Sequence, residues 1–251
     1  QPGADFCVTP ALNNLRVIAD LDGHEAELIV SSPDHKIYSE LDADRDIGGG
    51  LYRYDVGSRE CEKLLDGTFH QMVDAGDVYY VADEIRGICR VSKDFELLEV
   101  FGEEQSAANH GIAYCEDREL VFISRTGLDK VAAFDPETNS KEFELYLSEK
   151  AERIHTSKEV SEARHWGNDL HVKDDSLYVS MFSHSGCYPE GVYDGGILQI
   201  SLEDFTVRNV LVRDAWMPHT VRFFDSNICY LDSMNGEFYK STKSVVGEFQ
   251  G

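Results

Sequence analysis

The sequence of 251 residues carries 47 acidic residues against 23 basic ones, which gives a formal net charge of −24, and 42% of it is hydrophobic. A hydrophobic fraction of this size excludes a disordered chain, and no apolar run approaches the roughly 20 residues that a membrane-spanning helix needs. The negative charge opposes binding to nucleic acid and to anionic membranes, because both need clustered lysine and arginine. The composition therefore predicts a folded acidic domain with neither kind of partner.

The six cysteines show neither a C-x-x-C pair nor the spacing of a zinc site. Cys89, Cys115 and Cys229 lie within or beside apolar runs, where a reduced thiol behaves as a small hydrophobe. We expect reduced, buried cysteines and a cytoplasmic rather than a secreted protein. Disulfide bonds are the alternative that the sequence leaves open.

The predicted strands are short and come in repeating groups of four. In residues 107–150, apolar runs of about five residues begin at Gly111, Leu120, Lys130 and Glu142. The turns between them are rich in glycine, aspartate, asparagine and proline, which is typical of all-β proteins. The same order recurs along the chain, in residues 14–66, 67–104, 107–150, 163–214 and 216–251.

A repeat of roughly 40 to 50 residues with four strands is typical of β-propeller blades. We therefore predict an all-β fold, a single propeller over residues 1–251 with five four-stranded blades visible. Six blades are the commoner arrangement for this kind of sequence, so we expect a six-bladed parent and a fragment or shortened chain here. Two insertions interrupt the repeats: residues 147–164 predict a helix, and residues 183–196 predict a long loop of the kind that often carries function.

A polar imidazole or amide recurs at the start of the first strand of each repeat. His70, His110, Asn168 and His219 lie just before or on this strand, and Asn14 takes the same place in the first repeat. The innermost strand of each propeller blade lines the central channel, so these side chains are expected to meet at one mouth of it. Residues that follow the second strands should open on the same mouth, and these include Asp83, Arg86, Arg125, His184 and Asp232.

Three imidazoles at equivalent repeat positions are a natural ligand set for a divalent metal ion. We predict a site for Zn, Mn or Ca held by His70, His110 and His219, with Asn168 and Asp232 completing it. In the alternative interpretation the histidines are structural, each bonded to a backbone carbonyl, and the channel holds ordered water. Recurrence also follows from duplication of an ancestral blade, so recurrence alone does not establish a ligand.

The same mouth supplies candidate catalytic groups. The predicted proton-transfer group is His165, Asp169 or His184, since histidine titrates near the working pH. Arg125 is predicted to hold a substrate anion. A surface ion pair is the alternative role for this arginine.

Three further residues are candidates for substrate binding. Arg86 is predicted to bind a carboxylate or phosphate, again with an ion pair as the alternative. Trp166 is predicted either to stack on a sugar ring or to cap its blade, and Tyr188 lies in the long loop beside it.

Two phrases resemble a known family of six-bladed propellers. Residues 218–221 (P-H-T-V), followed by residues 230–233 (Y-L-D-S), resemble the P-N-G-x … D-S signature of the gluconolactonase, senescence-marker and luciferin-regenerating proteins. Residues 165–169 (H-W-G-N-D) resemble the R-P-N-D phrase of the same group.

That resemblance implies a divalent cation held by two asparagines, an aspartate and a glutamate from an early G-E-G phrase. Asn168 and Asp232 match by position, His219 stands where the family has asparagine, and no G-E-G phrase is present. The whole chain is more similar to an uncharacterised group of bacterial propellers, known chiefly as a domain of unknown function. This second resemblance rests on residues 28–32, 48–54 and 168–172, and it implies the fold without an activity.

These observations favour a metal-dependent hydrolase or lyase that acts at the channel mouth on a small sugar-derived or carboxylate-bearing substrate. The competing hypothesis is a propeller without catalytic activity that binds a carbohydrate or a protein partner. In that case the channel histidines are structural.

Overall fold

The computed structural model describes residues 15–19, 26–33, 49–104, 107–147, 163–224 and 227–242. Asn14 and nearly all of the helix predicted at 147–164 lie outside this part of the chain. Within it the fold is all-β, with strands joined by tight turns and a few short 3₁₀ turns. No helix in these ranges is long and apolar enough to cross a membrane.

The strands form five successive antiparallel sheets, which are the blades of a propeller. The first blade consists of β1 (Leu15–Ala19), β2 (Ala26–Ser32), β3 (Gly50–Asp55) and β4 (Cys61–Asp66). The second blade consists of β5 (Phe69–Asp74), β6 (Val78–Asp83), β7 (Gly87–Ser92) and β8 (Leu97–Phe101). The third blade consists of β9 (Asn109–Cys115), β10 (Leu120–Arg125), β11 (Lys130–Phe134) and β12 (Lys141–Tyr146).

The fourth blade consists of β13 (Gly167–Lys173), β14 (Ser176–Met181), β15 (Gly195–Ser201) and β16 (Val207–Ala215). The fifth blade has three described strands, β17 (Pro218–Phe224), β18 (Asn227–Asp232) and β19 (Glu237–Thr242). Every strand pairs with the next one along its blade. The predicted all-β propeller with five blades is therefore confirmed, and the six-bladed parent stays a prediction.

The hydrophobic core lies between neighbouring blades. The largest cluster joins the third and fourth blades, where Phe122 and Val131 pack with Leu170 and Leu177. Smaller clusters lie between the first and second, the second and third, and the fourth and fifth blades. Since both faces of the inner strands are covered in this way, β5, β9, β13 and β17 are held side by side around the channel.

The cysteines follow the distribution that their sequence context indicates. Cys89, Cys115 and Cys229 are buried, and no disulfide joins the five cysteines of the described ranges. Burial raises the pKa of the Cys89 thiol to about 12. This thiol is therefore protonated at neutral pH and acts as an apolar core group.

Candidate functional site at the channel mouth

The repeated phrase coincides with a β-bulge in each innermost strand of the second to fifth blades. In β5, Phe69 pairs with Asp83 and Met72 with Val81, which leaves two residues of β5 opposite one residue of β6. The pairings of β9, β13 and β17 contain the same extra residue. A bulge bends its strand and changes the direction of the side chains there. The recurrent imidazole or amide thus lies at or beside the one irregular position of each strand.

The bulges bring the predicted side chains together in one small pocket. We define this mouth pocket by its lining residues, which are His70, Gln71, His110, Gly111, Asn168, Asp169 and His219. Its cavity volume is about 10 Å³, close to the least that holds one water molecule. The pocket itself can therefore take a water or a single ion, and an organic substrate would have to bind above it.

His70 and His110 lie ring against ring in this pocket. Their ring centroids are 3.6 Å apart, with a tilt of 33° between the planes. His70 Nε2 is 3.3 Å from Glu84 Oε2, and His70 is buried. Glu84 is therefore the carboxylate that faces this pair of rings.

Asn168 brings an unpartnered polar atom to the pocket. The residue is 2% exposed, and its Nδ2 atom has no hydrogen-bond partner among the described residues. Its carbonyl oxygen accepts a hydrogen bond from Ser124 Oγ at 2.5 Å. A buried amide without a partner costs about 1–3 kcal/mol, so this side chain is in a position to gain free energy from a ligand.

Gly111 allows the third and fourth blades to approach each other at this point. A Cβ atom at Gly111 would lie 2.3 Å from the carbonyl oxygen of Asn168. Any larger residue would push the two innermost strands apart and widen the pocket. The glycine thus sets the spacing between His110 on one blade and Asn168 on the next.

Asp169 and His219 form the other side of the pocket. Asp169 Oδ2 accepts a hydrogen bond from Val221 N at 2.9 Å and lies 3.8 Å from Arg222 Nη1. Burial raises the pKa of Asp169, and the charges of Arg222 and His219 oppose that rise. The carboxyl group is therefore poised to exchange a proton more readily than an exposed aspartate.

Burial lowers the pKa of His219, while the Met217 carbonyl and Asp169 oppose the change. Its Nδ1 lies 2.9 Å from Met217 O and 2.6 Å from Ser233 Oγ. When the ring is neutral, Nδ1–H donates to the carbonyl and the lone pair is on Nε2. A neutral imidazole of this tautomer can serve as a metal ligand or as a base.

Asp232, predicted as a ligand, is engaged with the backbone. Its Oδ2 accepts a hydrogen bond from Trp216 N at 3.0 Å, and its Oδ1 accepts one from Asn235 N at 3.3 Å. Asp129 does the same for the fourth blade by accepting from the backbone amides of His165 and Trp166. These carboxylates hold the segments that lead into β17 and β13.

The two arginines are held in ion pairs outside the mouth pocket. Arg86 donates to Asp83 Oδ2 from Nε at 3.0 Å and from Nη2 at 2.7 Å. Arg125 is buried, pairs with Glu104 and donates to Gly102 O at 2.6 Å. Burial lowers the pKa of Arg125 to about 10, against the effect of nearby acidic groups. Their substrate-binding roles stay predictions.

His165 and His184 flank the pocket without lining it. His165 Nδ1 is 3.0 Å from Ser183 O, and its backbone amide donates to Asp129. His184 Nδ1 bonds to the carbonyl of Asp194 and lies 3.5 Å from Asp194 Oδ2. Both rings have one nitrogen committed to the long loop, and their catalytic roles also stay predictions.

An aromatic cluster lies beside the pocket. The Trp166 ring centroid is 4.8 Å from that of Tyr188 and 6.4 Å from that of Phe182. Tyr193 meets Tyr188 edge to face at 5.6 Å. Phe182 also contacts His219 at 5.1 Å, so the cluster is continuous with the mouth pocket.

The donor types of the pocket fit a divalent ion, although they are not already arranged around one. Among the described residues, no three histidine, cysteine, aspartate or glutamate side chains are positioned to hold a metal ion. The pocket nevertheless offers imidazole nitrogens, which suit Zn or Mn. Asn168 can bind such an ion only through its side-chain oxygen, because its unpartnered Nδ2 is a hydrogen-bond donor. Rotation of the His70 and His110 side chains would be needed to bring their nitrogens to one point.

The comparisons with known proteins identify a fold class. No family model and no curated protein matches the sequence. The fold is similar to that of virginiamycin B lyase from Staphylococcus aureus, with a TM-score of 0.54 and 11% identity over 92% of this chain and 69% of that chain. It is also similar to a streptogramin B lyase structure, with a TM-score of 0.56 and 10% identity over 95% and 72% of the two chains.

A third similar structure is a protein assigned as a gluconolactonase, with a TM-score of 0.51 and 17% identity over 73% of this chain and 62% of that one. Identities this low establish the β-propeller fold and no more. The predicted resemblance to gluconolactonase-like propellers is therefore confirmed for the fold.

One contributor to the site was missed by sequence reasoning. Glu84 follows β6 directly and faces His70, but the sequence marks it only as another acidic residue in a turn. The sequence pattern that could have indicated Glu84 is its position just after a second strand. The same pattern indicated the preceding residue, Asp83, which accepts a hydrogen bond from Arg86 and does not face His70.

Proposed function

We propose that the channel mouth is the active site of a hydrolase or lyase that uses a divalent metal ion. The substrate would be a small sugar-derived or carboxylate-bearing molecule bound above the mouth pocket. The observation that carries this proposal is the convergence of three imidazoles on a pocket of about 10 Å³.

In this proposal His70, His110, His219 and Asn168 hold the ion, which is Zn, Mn or Ca. When bound, such an ion polarises a carbonyl or carboxylate group or lowers the pKa of a bound water. Asp232, whose two oxygens accept backbone hydrogen bonds, supports the site by holding the segment before β17.

Asp169 is the proton-transfer group that the surroundings support best. It lines the mouth pocket, its pKa is raised by burial, and Arg222 lies 3.8 Å from it. A carboxyl group with a raised pKa can donate a proton to a leaving group and take one back nearer neutral pH. His165 and His184 would act from the flank of the pocket, on the part of the substrate that lies against the long loop.

The reaction class rests on the chemistry of the site. Hydrolysis and β-elimination both need a polarised carbonyl or carboxylate and a nearby proton-transfer group. The similar folds include proteins named as lyases and one assigned as a gluconolactonase. Those names define which substrates to screen first, namely lactones and esters for hydrolysis and carboxylate-bearing sugars for elimination.

The first test is the metal content of protein purified without a histidine tag, measured by elemental mass spectrometry. We expect near-stoichiometric metal in the parent and its loss in a His110→Ala, His219→Ala double variant that keeps its β-sheet circular dichroism. His184→Ala is the matched control, because this histidine bonds to Asp194 outside the pocket. A parent without metal, even after resupply of Zn, Mn and Ca, would contradict the proposal.

A second candidate function is carbohydrate binding without catalysis. The cluster of Trp166, Phe182, Tyr188 and Tyr193 beside the mouth favours it, because aromatic faces stack on sugar rings. Trp166→Ala would then abolish retention on a glycan array and leave the metal content unchanged. An enzyme of the proposed kind would instead lose turnover on chelation while its fold persists.

A further inference from the structure

A second cavity lies farther along the channel than the mouth pocket. It has a volume of about 330 Å³, at the lower end of the range typical of small-molecule sites. Its walls come from the residues that follow the bulges on β5, β9, β13 and β17, together with residues of β2. Gln71 alone belongs to the described lining of both spaces.

The side-chain amide of Gln71 separates the cavity from the mouth pocket. Its Nε2 donates to Leu170 O at 2.9 Å, and its Oε1 accepts from Ile112 N at 2.8 Å and from Leu170 N at 3.2 Å. The amide thereby satisfies the backbone groups that the bulges release from strand pairing. With these groups satisfied, Ile29, Ile112 and Leu170 make part of the cavity wall apolar. Ser31, Asp74 and His171 make other parts of it polar.

The charges at one end of the cavity favour an anion. Arg222 lines it, with Nη1 donating to Val221 O at 2.7 Å. Burial lowers the pKa of the neighbouring His171 to about 4, and the positive charges of Arg222 and Lys173 act in the same direction. Two cationic side chains, Arg222 and Lys173, therefore lie near this end of the cavity, in a chain whose net charge is −24.

Two carboxylates are near enough to affect the potential there. Asp74 lines the cavity, but its Oδ1 is paired with Lys93 Nζ at 2.6 Å. Asp169 Oδ2 lies 3.8 Å from Arg222 Nη1 on the mouth side, beyond hydrogen-bond distance. A guanidinium group carries five N–H donors and can hold more than one anion.

We propose that this cavity binds a small organic monocarboxylate, with its carboxylate on Arg222 and its apolar body against Ile29, Ile112 and Leu170. Apolar side chains beside one guanidinium group favour a molecule that is charged at one end only. The site is distinct from the proposed catalytic mouth, and binding there requires no metal ion.

The first test needs no variant. Protein with ¹³C-labelled isoleucine methyl groups is titrated with benzoate and, separately, with benzamide, its uncharged analogue, after treatment with a chelator. We expect benzoate to shift the methyl signals of Ile29 and Ile112 and to leave Ile197, which packs between the fourth and fifth blades, unchanged. Benzamide should bind at least about tenfold more weakly, because it lacks the charge.

Equal shifts with both compounds would overturn the assignment of an anion site. Benzoate at about 10 mM exceeds the dissociation constant expected of a weak small ligand. If the signals of Ile29 and Ile112 do not shift up to that concentration, the cavity is not a binding site. Since the chelated protein is used, either outcome is independent of the proposed metal-dependent activity.

A pair of variants tests the guanidinium itself. Arg222→Gln should weaken benzoate binding by at least about tenfold without weakening benzamide binding. Arg208→Gln is the matched control, since Arg208 is a half-exposed arginine paired with Asp204 away from the cavity. Unchanged benzoate affinity in a folded Arg222→Gln variant would refute the proposal. If that variant does not fold, the comparison of benzoate with benzamide in the parent decides.

Discussion

Two buried polar regions of this propeller differ in how their groups are partnered. The ion cluster of the third blade consists of Glu104, Arg125, Lys130 and Glu144. In it, Lys130 Nζ lies 2.6 Å from Glu104 Oε1 and 2.7 Å from Glu144 Oε1. In the mouth pocket, by contrast, two imidazoles lie ring against ring, and the Nδ2 atom of Asn168 has no hydrogen-bond partner among the described residues. Arg125 Nε in the ion cluster also lacks such a partner, but its guanidinium group is paired with Glu104.

The difference separates stability from function. A buried charge that faces an opposite charge is held by its partner, and removing either one leaves the other uncompensated. A polar group buried without a partner costs free energy in the free protein, and that cost is recovered only when a ligand arrives. We therefore expect substitutions in the ion cluster to affect folding, and substitutions in the mouth pocket to affect binding and chemistry.

The largest expected effect on stability is that of Lys130→Met. The substitution removes the cation between Glu104 and Glu144, and we expect it to lower the free energy of unfolding by about 3–5 kcal/mol. Lys141→Met is the matched control, because Lys141 pairs with the same Glu144 oxygen at 3.2 Å but is 46% exposed. The control should lose less than about 1 kcal/mol. Urea unfolding measures both, and equal losses would contradict the difference in burial.

Gln71→Met should have the next largest effect on stability. It removes three hydrogen bonds that join the innermost strands of the second, third and fourth blades. We expect a loss of about 2–3 kcal/mol in the free energy of unfolding, because the backbone groups it leaves are buried. Gln199→Met, whose amide bonds only to residues of its own blade, should lose about 1 kcal/mol or less. If Gln71→Met lost less free energy of unfolding than Gln199→Met, the hydrogen bonds of Gln71 would not hold the three innermost strands together as described.

The sequence predicted the blades because their signal is local and repeated. Short apolar runs, bounded by turn residues such as Asp135 and Gly127, define strands without reference to the rest of the chain. The meeting of His70, His110, Asn168 and His219 also followed, since equivalent positions in a cyclic repeat must approach one axis.

What the sequence could not give is the partner of each polar group. The sequence predicts Asp232 and Asn168 equally as metal ligands. In the structure, however, Asp232 accepts a hydrogen bond from the backbone of Trp216, whereas the Nδ2 atom of Asn168 has no hydrogen-bond partner among the described residues. The partner depends on where a preceding loop returns in space, which no local pattern encodes. The cross-blade bonds of Gln71 were invisible for the same reason.

The pH dependence of stability gives a smaller effect. The folded-state pKa of His171 is lowered from 6.5 to about 4, chiefly by burial. Above pH 6.5 the ring is neutral in both states, but at lower pH the unfolded chain takes up a proton that the folded protein does not. Stability is therefore lost as pH falls from 6.5 towards 4. When the pH falls from 7.5 to 5, the free energy of unfolding measured in urea should fall by roughly 1–2 kcal/mol less in His171→Gln than in the parent. An equal fall in the two proteins would refute the role assigned to His171.

The smallest effect on stability is expected at the residue that we propose as a ligand. Asn168→Ala removes an amide nitrogen that has no hydrogen-bond partner among the described residues. Relief of its desolvation cost opposes the cost of the cavity that the shorter side chain leaves, so the free energy of unfolding should change by less than about 1 kcal/mol. Asn109→Ala is the contrasting variant, because its Nδ2 donates to Asp83 O at 3.0 Å, and it should lose about 1–2 kcal/mol.

Metal content should change in the opposite order, falling in Asn168→Ala and persisting in Asn109→Ala. A stable Asn168→Ala variant with full metal content would remove this residue from the proposed site. An unstable one would show that the unpaired amide is bonded in solution. Only the combination of unchanged stability and lost metal fits a side chain kept in the channel for its ligand.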